Sequence, residues 1–141
     1  MTKIAVVNCI PEKNLECSKE ILKNFEKHNW VYLAPPKDQT KISTSSTLPE
    51  GEGIIISSGG SIEGPNLCLQ SIRNLTNSAL ATGMWVKNHG IKPNECIILN
   101  SLPLHHISGF MPWWRHYTWR SKYYWISPSL MHKPHQLKQF S

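Results

Sequence analysis

Ile54-Ile55-Ile56-Ser57-Ser58-Gly59-Gly60-Ser61-Ile62-Glu63-Gly64-Pro65 runs from a β-branched segment straight into a loop of glycine and serine. Three consecutive isoleucines suit a strand buried on both faces. Gly59, Gly60 and Gly64 let the backbone come close to a ligand, because no Cβ stands in the way. Successive N–H groups in such a loop can surround phosphate oxygens, and Ser58 and Ser61 add hydroxyl donors. Neither the G-x-x-x-x-G-K-[ST] pattern nor the G-x-G-x-x-G fingerprint is present. Leu67-Cys68-Leu69-Gln70 alternates beyond the loop and reads as a return strand. A plain Gly/Ser hairpin connection is therefore the competing reading.

Outward from this point, strand and helix signals alternate. Upstream, Ile4-Ala5-Val6-Val7 is a short strand and residues 15–28 a helix, with Leu15, Ile21, Leu22 and Phe25 on its apolar side. Trp30 to Ala34 is a strand stopped by Pro35-Pro36, and residues 37–52 form a polar loop. Downstream, residues 71–88 read as a helix carrying Ile72, Leu75, Ala79 and Val86, with Gly90 as its stop. Cys96-Ile97-Ile98-Leu99 reads as another buried strand. Residues 107–119 read as a helix whose start is constrained by Pro112, since proline is best tolerated in a first turn. Tyr123-Tyr124-Trp125-Ile126 is the last strand, cut by Pro128. This alternation argues a layered α/β fold with open sheet edges.

The chain has 141 residues, enough for one domain, and six Trp, four Tyr and three Phe supply large units of burial. Net charge is +6 and uneven: residues 110–141 hold Arg115, Arg120, Lys122, Lys133 and Lys138 and no acid. Such a tail suits an anionic ligand or partner. Cys9, Cys17, Cys68 and Cys96 make no C-x-x-C pair, so reduced thiols in a cytoplasmic protein are expected, without a zinc site. No apolar run has the length of a membrane span, and the N-terminus reads as a strand rather than a signal peptide.

A second string, Leu102-Pro103-Leu104-His105-His106-Ile107-Ser108-Gly109, can bring an imidazole to the mouth of a pocket. The glycine loop resembles the phosphate-binding loop of the adenylate-forming (acyl-CoA synthetase) superfamily, Ser-Gly-Thr-Thr-Gly-x-Pro-Lys. Ser58, Gly59 and Ser61 match its opening and Gly60 replaces a threonine. The second string resembles that superfamily's Leu-Pro-Leu-Phe-His motif, with His106 on the motif histidine and His105 in the aromatic place. His106-Ile107-Ser108-Gly109 followed by Trp113-Trp114-Arg115 is most similar to 2-succinylbenzoate–CoA ligases of quinone biosynthesis, of the cyanobacterial type.

The resemblance implies a partial layered α/β sheet, a fragment of the large N-terminal domain of such an enzyme. Residues 1–52 would be a helix/strand segment and loop, and 53–141 a partial AMP-binding domain. It implies ATP, magnesium and coenzyme A as reactants, and a small carboxylate as substrate. Ser58, Gly59, Gly60, Ser61 and Gly64 would hold the nucleotide phosphates. His106, Ser108, Gly109 and Arg115 would face the acyl group, Arg115 by pairing with a second carboxylate.

The loop departs from the family pattern in three places. Ile62 and Glu63 shift it by one residue, and Asn66 stands where the family has lysine. Glu63 facing a triphosphate would cost up to about 4 kcal/mol per close phosphate charge before screening. These changes predict weak ATP binding. The family's adenine site, hinge and C-terminal domain with its catalytic lysine have no counterpart among the 141 residues. The expectation is a truncated ligase, incomplete alone, that is either a remnant or one part of a split enzyme completed by a downstream chain.

Two other function classes touch some of these residues. Residues 113–125 interleave aromatics with cations, as single-strand nucleic-acid binders do, but Trp113, Trp114 and Tyr117 lie at helical spacing and core packing explains most of them. Of the seven histidines only His132 and His135 show a common metal-ligand spacing, and no metal site is expected.

Overall fold

In the computed structural model, residues 3–38, 42, 48–58 and 66–141 are described. The chain divides into two compact units, one built from residues 1–74 with 104–106, the other from 75–103 with 107–141.

The first unit is a four-stranded sheet carrying a helix. β1 (Ile4–Asn8), α1 (Asn14–Glu26) and β2 (Trp30–Ala34) form a crossover in which β1 and β2 pair in parallel, Ile4 opposite Trp30 and Asn8 opposite Ala34. β3 (Gly53–Ser58) adds in parallel to β2, and β4 (Asn66–Ser71) returns antiparallel along β3. The order is β1-β2-β3-β4. β2 and β3 have neighbours on both sides, and all five residues of β2 and the first four of β3 are buried. That is why their sequences are continuously apolar rather than alternating. Trp30, Tyr32, Ala34 and Ile55 form the core cluster, with Ile4, Ile42 and Leu48 packed against it. Tyr32 donates its hydroxyl proton to Asp38 Oδ2 at 2.6 Å.

α1 buries Cys17, Ser18, Ile21 and Phe25 along one stripe. Leu15, expected on that stripe, is 59% exposed. It is the second residue of the helix, two positions before Cys17 and off the buried stripe. The helix ends at Glu26, and His28 takes a left-handed conformation, φ 57°, to turn the chain into β2. β4, an edge strand, is exposed along nearly its whole length.

The second unit packs α2 (Ile72–Asn88, from Leu75 onward) against α3 (Ile107–Trp119), beside a two-stranded parallel sheet of β5 (Ile97–Asn100) and β6 (Lys122–Trp125). α2 stops as expected: Gly90 has φ 82° and its N–H bonds the Lys87 carbonyl at 3.0 Å, while Ile91 N–H bonds Val86 at 3.2 Å. Two indoles tie the helices, Trp114 Nε1 donating to Thr76 Oγ1 at 3.1 Å and Trp119 Nε1 to the Ala79 carbonyl at 2.8 Å. Phe110, Trp113 and Trp114 are buried, as core packing requires, but Tyr117 is exposed.

β5, expected to be buried, is not: Ile97 is 38% exposed and only Asn100 is buried, β6 being its one strand neighbour among the described residues. α3 runs over Ile107–Trp119, the span expected from the sequence, and carries Pro112 in its second turn. The missing N–H deprives the Ser108 carbonyl of its helical partner. After β6 the chain makes two 3₁₀ segments, Pro128–His132 and Pro134–Phe140, which the sequence reading had not assigned.

No helix among the described residues is long and apolar enough to cross a membrane.

Candidate functional site

The expected phosphate loop hangs from the β3–β4 hairpin. Ser58 is the last residue of β3 and lies opposite Asn66, the first of β4. Ser58 Oγ donates to the Asn66 carbonyl at 3.1 Å and so ties the neck of the loop. Gly59, Gly60, Ser61 and Gly64, with Glu63, lie outside the described residues. The return strand is present, with its register fixed over six residue pairs.

The second motif follows β5. Asn100, buried at the strand's end, organises what comes next: its Nδ2 donates to the Gly109 carbonyl at 2.7 Å and to Tyr123 Oη at 2.8 Å. Its Oδ1 accepts the Leu102 N–H at 2.9 Å. One side chain thus ties the end of β5, the motif loop, the first turn of α3 and β6. A side chain that polar is buried at low cost only when its hydrogen-bonding capacity is used. Gly109 completes the turn by having no side chain, since a Cβ there would lie 2.0 Å from the Pro103 carbonyl oxygen. The helix therefore passes directly over the loop. Sequence reading missed Asn100; the available signal was a lone amide closing an apolar run just before the motif.

Leu104, His105 and His106 belong to the first unit, the same compact unit as β3 and β4. Leu104 is fully buried. The rings of His105 and His106 lie with centroids 4.3 Å apart, tilted by 41°. Burial, and secondarily the neighbouring His106, hold the His105 imidazole below its ordinary value. The His105 ring is thus disposed to be neutral. Its Nδ1 is buried with no hydrogen-bond partner among the described residues, while His106 is exposed.

Ser108 is exposed on the first turn of α3, and Arg115 is half-buried two turns on. Arg115 Nε is buried without a hydrogen-bond partner, and the guanidinium makes no ion pair among the described residues. Charge divides sharply between the units. The first has equal numbers of basic and acidic residues, and the second has seven Lys/Arg against Glu95 alone, so it carries the whole +6. No cluster of three or more His, Cys, Asp or Glu side chains that could hold a metal occurs among the described residues.

No protein-family model and no curated protein matches this sequence. Solved structures do. The chain superposes on O-succinylbenzoate coenzyme A synthetase (MenE) from Bacillus subtilis in complex with AMP, with a TM-score of 0.70 and 14% identity, over 99% of this chain and 47% of that one. The chain has the fold of part of an adenylate-forming enzyme. The same Bacillus subtilis enzyme bound to the acyl-adenylate intermediate OSB-AMP gives a TM-score of 0.70 at 14% identity, over 99% of this chain and 37% of that one. Its complex with ATP and magnesium ion gives 0.60 at 14% identity, over 99% and 49%. The chain thus spans less than half the length of these structures. The expectation of a partial layered α/β domain is met by this match.

Proposed function

We propose that this chain is the nucleotide- and acyl-facing part of an AMP-forming acid–CoA ligase, with 2-succinylbenzoate as the acyl substrate. The observation that carries the reading is the chain-long fold match to an enzyme solved with AMP, ATP and magnesium, joined to two motifs in family order. It is supported by the grouping of His105 and His106 with the β3–β4 hairpin in one compact unit.

In the first half-reaction a carboxylate oxygen attacks the α-phosphorus of Mg-ATP, and the bond to pyrophosphate breaks. Backbone N–H groups of Ser58 to Ser61 and the Ser61 hydroxyl would stabilise the charge that grows on the leaving pyrophosphate, while the Ser58 hydroxyl stays on the Asn66 carbonyl. Magnesium is written here as part of the nucleotide substrate, since the described side chains offer no carboxylate cage. In the second half-reaction the thiol sulfur of coenzyme A attacks the acyl carbon and AMP leaves. His106 would line the acyl pocket and control the thiol's approach. Arg115, whose Nε has no hydrogen-bond partner among the described residues, would pair with a carboxylate through a charge-assisted contact.

A second, non-catalytic reading is favoured by Asn66 in the lysine place and by Glu63. Here the chain keeps the fold but holds Mg-ATP too weakly for adenylation. ATP–pyrophosphate exchange with 2-succinylbenzoate tests both. The proposal expects saturable Mg-ATP binding, tighter in Glu63→Gln, and exchange that depends on 2-succinylbenzoate. Absence of Mg-ATP binding in both proteins removes the ligase reading, and exchange by the unaltered chain removes the non-catalytic one.

A further inference from the structure

The second unit holds an open groove of about 510 Å³, and none of its lining residues belongs to either motif. Its floor is apolar. Leu80 and Met84 stand one turn apart on α2, both more than half exposed, and Pro93 and Trp119 face them. An exposed Leu–Met stripe beside a tryptophan is unusual for a surface without a ligand.

The wall of this groove is set before anything binds. Trp119 is pinned by its bond to the Ala79 carbonyl, 2.8 Å. Gly83 leaves room for the indole: a Cβ there would meet Trp119 Nε1 at 3.0 Å, tighter than a relaxed contact. The volume falls in the range, roughly 300–1,000 Å³, of small-molecule sites.

Charge then selects the occupant. Lys87, in the last turn of α2, is the one cation lining the groove and makes no ion pair among the described residues. Glu95, the only acid of this unit, is taken by Lys92 at 3.2 Å. A ligand arriving here meets a net +6 unit, and the groove lining holds no carboxylate to receive a cation. We propose that the groove binds an amphiphilic carboxylate, its apolar tail lying along Leu80, Met84, Pro93 and Trp119 and its carboxylate at the Lys87 ammonium. Asn94 and Thr118, which complete the lining, offer the only other polar side chains.

The test is a titration of the protein with decanoate and, separately, with decyltrimethylammonium, followed by calorimetry and by amide and indole chemical shifts. The expected result is saturable one-to-one decanoate binding that moves the Trp119 indole N–H and the Gly83 amide, with no saturation by the cation. Lys87→Met, an exposed change that leaves the fold intact, weakens decanoate about fivefold. Met84→Asp abolishes it. Equal binding of the two amphiphiles, undiminished affinity in Lys87→Met, or shifts confined to other residues would overturn the proposal. So would concentration-dependent self-association lost in Met84→Asp, which would make a second copy of the chain the occupant.

Discussion

β3 and β5 begin as the same kind of sequence and end in different surroundings. Ile54-Ile55-Ile56 and Ile97-Ile98-Leu99 are both short aliphatic runs. The first lies between β2 and β4 and is buried; the second has, among the described residues, β6 alone beside it and is largely half-exposed. An apolar run therefore specifies a strand, while burial is set by how many neighbours the topology supplies. The first unit gets its order from a sheet core in which Trp30 and Tyr32 pack with Ala34 and Ile55. The second gets it from side-chain hydrogen bonds between segments: Asn100, and the indoles of Trp114 and Trp119.

The strongest way to break this contrast is at Gly109. A methyl there overlaps the Pro103 carbonyl, 2.0 Å away, and that neighbour is backbone that cannot swing aside. Gly109→Ala should cost above about 4 kcal/mol in urea unfolding. A loss of under 1 kcal/mol would mean the loop and helix are not packed as described. Next in size, Ile55→Ala should cost about 4 kcal/mol and Ile98→Ala about 1 kcal/mol, since only the first leaves a closed cavity. Equal losses in the two would remove the contrast between the strands.

The smallest effect is electrostatic. His105 is held below its ordinary value of 6.5, chiefly by burial. The unfolded chain therefore takes this proton at a higher pH than the folded one. The stability tied to neutral His105 is present above pH 6.5 and is lost as the pH falls below it. Replacing it by phenylalanine, the residue the family motif carries there, should flatten that part of the pH–stability curve. An unchanged curve in His105→Phe would place the titration elsewhere.

Much of this architecture was legible in the residues. Hydrophobic periodicity located the six strands and three α-helices of the described residues, α3 included, and Gly90 marked the end of α2 where the structure has it. What periodicity could not supply was neighbour count, which decided the exposure of Ile97. Nor could it show what supports α3 around Pro112, the Asn100–Gly109 bond and the buried Phe110, Trp113 and Trp114. Of the candidate site, the motif histidines and Arg115 were readable as residue types with known chemistry. Asn100 was not, because its role depends on three partners from separate segments.

On the proposed function, the glycine loop between β3 and β4 and the imidazole of His106 serve one ligand. Isotope-labelled protein titrated with Mg-ATP and then 2-succinylbenzoate decides this. The Gly59 and Gly60 amides should move with nucleotide, and the His106 ring should move when the acid joins it. Shifts at only one of the two places, or at neither, would rule the shared ligand out.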